Sequence, residues 1–160
     1  MTKTNVVRLL QQRKIPFQVL KYSPDLHSAQ DVALVMQAPI SHVYKTIVVL
    51  REKGKPMLVM VQGDQEVNLR LLAKSVGEKK LRLATHREAE DLTGLQTGGI
   101  SALALLHHGF DIYADRSLAA LDYVHVSAGQ RGMNIRLAPA DLIRLTGAEL
   151  IQATEEKGGS

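Results

Sequence analysis

Lys45 is the residue whose placement says most about chemistry. It opens the run Thr46-Ile47-Val48-Val49-Leu50, whose continuous apolar character is that of a strand buried on both faces. Strand alternation puts Lys45 on the face of Ile47 and Val49. A lysine there either snorkels out at the strand end or points into a pocket. A second feature is Thr97-Gly98-Gly99-Ile100-Ser101. Paired glycines allow positive φ and close backbone approach, so successive N–H groups can converge on an anion or a carbonyl oxygen. The same pair can equally be a plain turn. The segment has neither the Gly-Lys-Ser/Thr ending of a P-loop nor the three-glycine spacing of a dinucleotide fingerprint. A third is Val126-Ser127-Ala128-Gly129-Gln130-Arg131-Gly132-Met133-Asn134, a two-glycine turn carrying polar groups at Ser127, Arg131 and Asn134. It reads as a hairpin whose polar residues either satisfy the turn or face a ligand.

Other chemistries find little support. The six histidines, His27, His42, His86, His107, His108 and His125, show no metal-ligand spacing, so no metal is expected. No nucleophile elbow places a serine for attack, which argues against a Ser-His-Asp triad. With no cysteine there is no disulfide, thiolate metal site or cysteine nucleophile.

The elements that must hold these residues alternate between helical and strand patterns. Thr4 caps a first helix carrying Val6, Leu9 and Leu10, which ends before Pro16, and 17–22 reads as a short strand. Ser28 and Asp31 form a capping-box pattern ahead of Ala29, Val32, Ala33 and Met36, which share one helical face until Pro39. Residues 44–50 and 57–61 form a hairpin around the turn residues 52–56. Asn68 caps a helix through Leu69, Leu72, Ala73 and Val76, closed by Gly77. A strand over 80–83 and a helix over 86–93, closed by Gly94, follow. Strands are expected over 111–114, 123–127 and 133–137, and Pro139 opens a last helix through Leu145, closed by Gly147. Hairpins mixed with crossover helices predict an α/β domain with a mixed sheet.

The chain has 160 residues, enough for one domain with a sizeable core, and 45% of them are hydrophobic. One domain over 1–152 is expected, with a disordered tail over 153–160. Only six residues are aromatic, which excludes rows of rings that stack single-stranded bases. Residues 1–80 carry 13 basic and 6 acidic side chains, residues 81–160 carry 7 and 10. That asymmetry suits contact with a polyanion on one side, or is a solvated surface with chance clustering. The N-terminus lacks the apolar stretch of a signal peptide and no run is long enough to span a membrane, so a cytoplasmic location is expected, with no membrane partner.

Taken in order, Val43-Tyr44-Lys45-Thr46, Thr93-Gly94 through Gly98-Gly99-Ile100-Ser101, and Val126-Ser127 through Arg131-Gly132 resemble the motifs of the YbaK/prolyl-tRNA-synthetase-associated domain family of aminoacyl-tRNA deacylases. The resemblance covers residues 4–150. It implies a single α/β domain with a mixed, partly barrel-like sheet surrounded by helices. It also implies hydrolysis of the ester of mischarged tRNA carrying cysteine, alanine or another small amino acid. No cofactor and no DNA are implied; the partners are the 3′ end of aminoacyl-tRNA and an aminoacyl-tRNA synthetase. Carried over to this chain, the essential lysine is Lys45, with Gly98 and Gly99 stabilising the reacting ester. The substrate would meet Tyr22, Ile100, Ser101, Ser127 and Asn134. The cysteine-specific branch has an aspartate where this chain has Asn134, and often a proline where this chain has Ala102. The stretch from Tyr22 to Lys45 is also shorter than in that branch. These departures bear on cysteine specificity rather than on fold or reaction. The alternatives are a non-catalytic module that binds tRNA or a synthetase, and a small-molecule hydrolase.

Overall fold

Each helix begins where an oxygen is placed to accept an orphan amide or where proline has none to offer. The computed structural model describes residues 4–26 and 28–155, so residues 1–3, His27 and residues 156–160 lie outside the described residues. Helix α1 (Asn5–Gln12) starts with Thr4 Oγ1 accepting the Val7 N–H at 3.2 Å. Ser28 Oγ does the same for Asp31 at the head of α2 (Ala29–Met36). Asn68 Oδ1 accepts from Leu71 in α3 (Leu69–Val76). A reciprocal box between Thr85 and Glu88 opens α4 (His86–Thr93), and Pro139 opens α5 (Pro139–Thr146). These starts are the expected ones. One stop differs: α2 ends at Gln37, in the left-handed region at φ +56°, before Pro39 is reached.

The strands form two sheets. The first has order β1-β7-β6 and is antiparallel throughout, from Phe17–Lys21 (β1), Met133–Leu137 (β7) and Val124–Ser127 (β6). The second has order β4-β2-β3-β5-β8, from Leu81–Leu83, Tyr44–Arg51, Met57–Gln62, Asp111–Asp115 and Glu149–Ile151. Its β2/β3 and β2/β4 pairs are antiparallel, and β3/β5 and β5/β8 are parallel. The mixed sheet is therefore present, but the strands divide in two, joined where Val43 bridges His125. Strand β3 explains its own position: Met57 to Val61 are buried on both faces, as a central strand demands. Leu58 and Met60 face the larger core with α1, α5 and the first sheet, and Val59 and Val61 face a smaller one around Leu72 of α3. Strand β8, too short to show a period, was not expected. No helix among the described residues is long and apolar enough to cross a membrane.

One buried carboxylate ties distant segments together. Asp115, 4% exposed at the end of β5, accepts on Oδ1 from the N–H groups of Ala153 (2.9 Å) and Thr154 (3.1 Å) and from the Thr154 hydroxyl (3.2 Å). Its Oδ2 accepts from the Ser117 N–H (3.1 Å) and hydroxyl (2.6 Å). The Ser117 hydroxyl hydrogen is thereby committed to Asp115, so the Tyr44 phenol donates to Ser117 Oγ at 2.6 Å. Burial pushes that phenol up to about 12 against the pull of the Ser117 hydrogen bond, with the Asp115 charge adding to the rise. Asp115 thus holds the backbone of residues 153 and 154 against the end of β5. Ala153 and Thr154 are buried because their backbone answers a charge almost forty residues upstream.

His125 lies at the bridge between the sheets, 1% exposed, its Nδ1 without a partner among the described residues. Tyr123 meets it edge-on at 5.6 Å, Arg136 lies 3.9 Å over the Tyr123 ring, and His42 stacks on that ring at 4.5 Å. Burial, then the charges of Arg136 and His42, hold His125 down at about 4.

Replacing Asp115 with alanine strands five donors and is expected to lower stability by ~3 kcal/mol in thermal or denaturant unfolding; an unchanged midpoint would contradict the tie described. His125 also sets a pH dependence. Its folded value is depressed, so the unfolded chain binds the extra proton between about 6.5 and 4. Stability is expected to be flat above that window and to fall on acidification through it, by on the order of 3 kcal/mol. His125→Gln should flatten that limb of a denaturation-midpoint profile measured from pH 7.5 to 4.5.

Candidate functional site

The register of the first sheet brings three expected residues together. Asn134 of β7 stands opposite Leu20 of β1 on one side and Ser127 of β6 on the other. Asn134 is 5% exposed, and its Nδ2 donates to Tyr22 Oη at 3.3 Å. Its Oδ1 is buried with no partner among the described residues. Turning the amide over would only exchange which atom is left unpaired. Ser127 Oγ accepts the Gly129 N–H at 3.1 Å, tightening the turn that follows.

Lys45 joins this row through the other sheet. Val43 and His125 form the bridge, and two residues beyond it lie Lys45 on β2 and Ser127 on β6. Tyr44, held inward by Ser117, fixes the alternation that turns Lys45 to the opposite face. The Lys45 Nζ lies 4.0 Å from Glu66 Oε1, with 31% of the lysine side chain and 90% of the glutamate side chain exposed. Between the two readings left open, the structure places the lysine partly exposed at the strand end. A pair this long and wet holds the ammonium weakly, so a substrate can take it.

The glycine loop is built by its neighbours. Thr97 donates its N–H to Glu90 Oε2 at 2.8 Å and accepts from Arg131 Nε at 2.7 Å on its carbonyl. A Cβ on Gly99 would lie 2.9 Å from both the Arg131 nitrogen and the Gln130 carbonyl carbon, so glycine is needed there for contact with the facing turn. Gly98 sits at φ +92°. The expected array of amides is thinner than two glycines imply. The Gly99 N–H already donates to Gln96 O at 2.8 Å, closing a turn. Those of Gly98, Ile100 and Ser101 donate to no group among the described residues. Ser101 is 1% exposed and its Oγ accepts from Ala104, at the head of a short 3-10 helix (Leu103–Leu105). Ile100 packs against the main core. Both thus have structural occupations beside any contact with substrate. Thr97 Oγ1, like Asn134 Oδ1, is buried without a hydrogen-bond partner among the described residues.

Beside the row is a cavity of about 290 Å³ lined by Lys21, Tyr22, Pro24, Gln130, Arg131, Gly132 and Met133. Tyr22 thus joins the cavity to Asn134. Met133 lines this cavity, while Met57 and Met60 are deep in the cores. Sequence reasoning gave no role to Lys21, Glu90 or Glu66. Lys21 directly precedes Tyr22, a signal that was available; nothing in the spacing announces that Glu90 would hold Thr97. No group of three or more His, Cys, Asp or Glu able to hold a metal occurs among the described residues.

Known proteins match this arrangement closely. Residues 23–145 match the family described as "Aminoacyl-tRNA editing domain". A protein of Enterococcus faecalis named "Putative Cys-tRNA(Pro)/Cys-tRNA(Cys) deacylase EbsC" is 32% identical over 157 residues, 97% of this chain and 95% of that one. A proline–tRNA ligase of a Sulfurihydrogenibium species is 32% identical over 110 residues, which are 69% of this chain but 19% of the ligase. Among solved structures, one described as a "putative trans-editing enzyme for prolyl tRNA synthetase" superposes with a TM-score of 0.81 at 26% identity, covering 97% of this chain and 100% of that one. With the ordered motifs, the register that joins them and a match over most of its length, the chain belongs to the aminoacyl-tRNA editing domain family.

Proposed function

We propose that this protein is a trans-editing deacylase that hydrolyses the ester of mischarged tRNA bearing a small amino acid. The observation that carries the reading is the row Tyr22, Asn134, Ser127 and Lys45, set across two sheets by register. The name of the Enterococcus relative and that of the structural neighbour support it. The partners on this reading are the 3′ end of aminoacyl-tRNA and a synthetase that releases it.

An aminoacyl ester is already activated, so the protein's task is to position it and to stabilise the charge that develops on its carbonyl oxygen. Water, assisted by a ribose hydroxyl of the substrate, attacks the carbonyl carbon and gives up a proton. The C–O bond to the ribose breaks and the ribose oxygen takes up a proton. The amides of Gly98, Ile100 and Ser101 are the donors left for the oxyanion, since the Gly99 N–H is committed to Gln96. Gly99 acts by letting the loop lie against the 130–131 backbone. Lys45, loosely held by Glu66, brings a positive charge to the ester or to the phosphate of the terminal adenosine. The unpaired Asn134 Oδ1 accepts a hydrogen bond from the amino acid, with Tyr22 fixing the amide's orientation.

On a panel of mischarged tRNAs, Lys45→Ala is expected to lower kcat/KM for the preferred substrate roughly 10²-fold while leaving the fold intact. Undiminished activity would remove Lys45 from the mechanism. Binding of tRNA with no turnover of any substrate would leave the non-catalytic module as the reading. For Gly99→Ala, whose new methyl meets backbone rather than a side chain, we expect kcat/KM to drop at least about ten-fold and stability by ~2 kcal/mol. Wild-type rates in that variant would show that the loop's seating is unimportant to the reaction.

A further inference from the structure

We infer that the cavity beside Tyr22 is a phosphate site for the RNA strand that carries the ester. The inference rests on the deacylase reading above and adds a binding subsite to it. The cavity is open, lies between the end of β1 and the β6–β7 turn, and has two cations and no acidic residue in its lining. Arg131 is held by its Nε to Thr97 O at 2.7 Å, which orients the guanidinium while leaving its terminal nitrogens without a partner among the described residues. Lys21, exposed at the end of an edge strand, likewise has no ion-pair or hydrogen-bond partner among them. Arg51 pairs with Glu78 and Asp111, Arg82 with Glu88 and Arg144 with Asp141, whereas Arg131 and Lys21 share a cavity lining that holds no carboxylate. An oriented guanidinium next to a free ammonium is the pairing that binds phosphate oxygens.

Position selects the ligand. Tyr22 lines the cavity and also bonds to Asn134, and Arg131 packs on Gly98 and anchors the loop at Thr97. An ester bound along the row therefore has its own RNA strand leaving past Lys21 and Arg131, with a phosphodiester within a nucleotide or two. The lining offers Tyr22 as its one aromatic ring, so the strand is held by its backbone rather than by stacked bases.

The test uses the full chain and an uncharged acceptor-stem minihelix ending in CCA, with binding followed by anisotropy over a range of salt. Lys21→Glu and Lys21→Gln change an exposed side chain. They are expected to weaken RNA binding roughly three- to ten-fold, the glutamate more than the glutamine, and to reduce the slope of log affinity against log salt by about 1. Lys53→Glu, in the turn at the far end of the β2–β3 hairpin, should bind as wild type does. Hydrolysis of 2′(3′)-O-alanyl-adenosine, which has no phosphodiester, should be unaffected by the Lys21 variants. Equal affinity of wild type and Lys21→Glu at every salt concentration would overturn the site, as would an equal loss in Lys53→Glu. Competition by adenosine monophosphate at the minihelix's own concentration would also overturn it, assigning the cavity to a nucleotide. If the wild type hydrolyses no ester while Lys21→Glu still loses RNA affinity, the deacylase reading fails and the phosphate site stands. If hydrolysis is intact and RNA affinity unmoved, the phosphate site alone fails.

Discussion

A carboxylate removed from water must be answered by donors, and Asp115 takes five of them from two separate parts of the chain. That requirement organises much of the molecule. It seats the 3-10 helix that follows β5 (Arg116–Ala120), draws in the backbone of residues 153 and 154, and sets Ser117 to receive the Tyr44 phenol. Tyr44 and Lys45 are neighbours on one strand, so a phenol fixed inward is a lysine fixed outward. The position of the proposed catalytic cation is therefore decided on the opposite face of the sheet, by a charge that never meets substrate. A surface lysine positioned only by its own ion pair to Glu66, at 4.0 Å and largely exposed, would have no such definition.

The glycine loop shows the same economy. Residues 97–99 and 130–131 support one another: Arg131 binds Thr97, Gly99 lies on the Gln130 and Arg131 backbone, and Glu90 of the preceding helix holds the Thr97 amide. A loop carrying unpaired amides is pre-organised only if its remaining groups are satisfied elsewhere. Here the Thr97 and Gly99 amides are spent on holding the shape, and those of Gly98, Ile100 and Ser101 remain for a ligand. The guanidinium that stabilises this arrangement also lines the neighbouring cavity, so the loop and the surface beside it are set by one side chain.

What was legible in the sequence follows the range of the forces involved. Thr4, Ser28, Asn68 and Thr85 cap helices through bonds spanning three residues, and the spacing that makes those bonds is visible in the chain. The β2–β3 hairpin, with its turn residues between two apolar runs, is equally local. Parallel pairing of β3 with β5 and of β5 with β8 is not, because crossover strands carry no register signal of their own and β8 has three residues. The same holds within the site. Lys45, Ser127 and Asn134 were found as motif residues, but their meeting depends on one bridge between two sheets. Ser101 was read as facing substrate; its hydroxyl also accepts from Ala104 at the head of a 3-10 turn, a bond that no spacing announces.

Asn134 brings these threads to the question of substrate. A carboxylate at this buried position would need donors to compensate it, and Tyr22 supplies one at most. The amide avoids that cost and keeps an acceptor, Oδ1, directed at no group among the described residues. It donates and accepts at once, so it can orient Tyr22 with one atom and receive a substrate N–H or O–H with the other. An amide attracts an α-ammonium less strongly than a carboxylate does, and it also repels a nearby phosphate less. If Lys45, Lys21 and Arg131 gather the RNA backbone as proposed, that exchange would move the source of affinity. The hold on the amino acid would be weaker than the hold on the strand, and more than one small side chain would be accepted at the end of the same RNA.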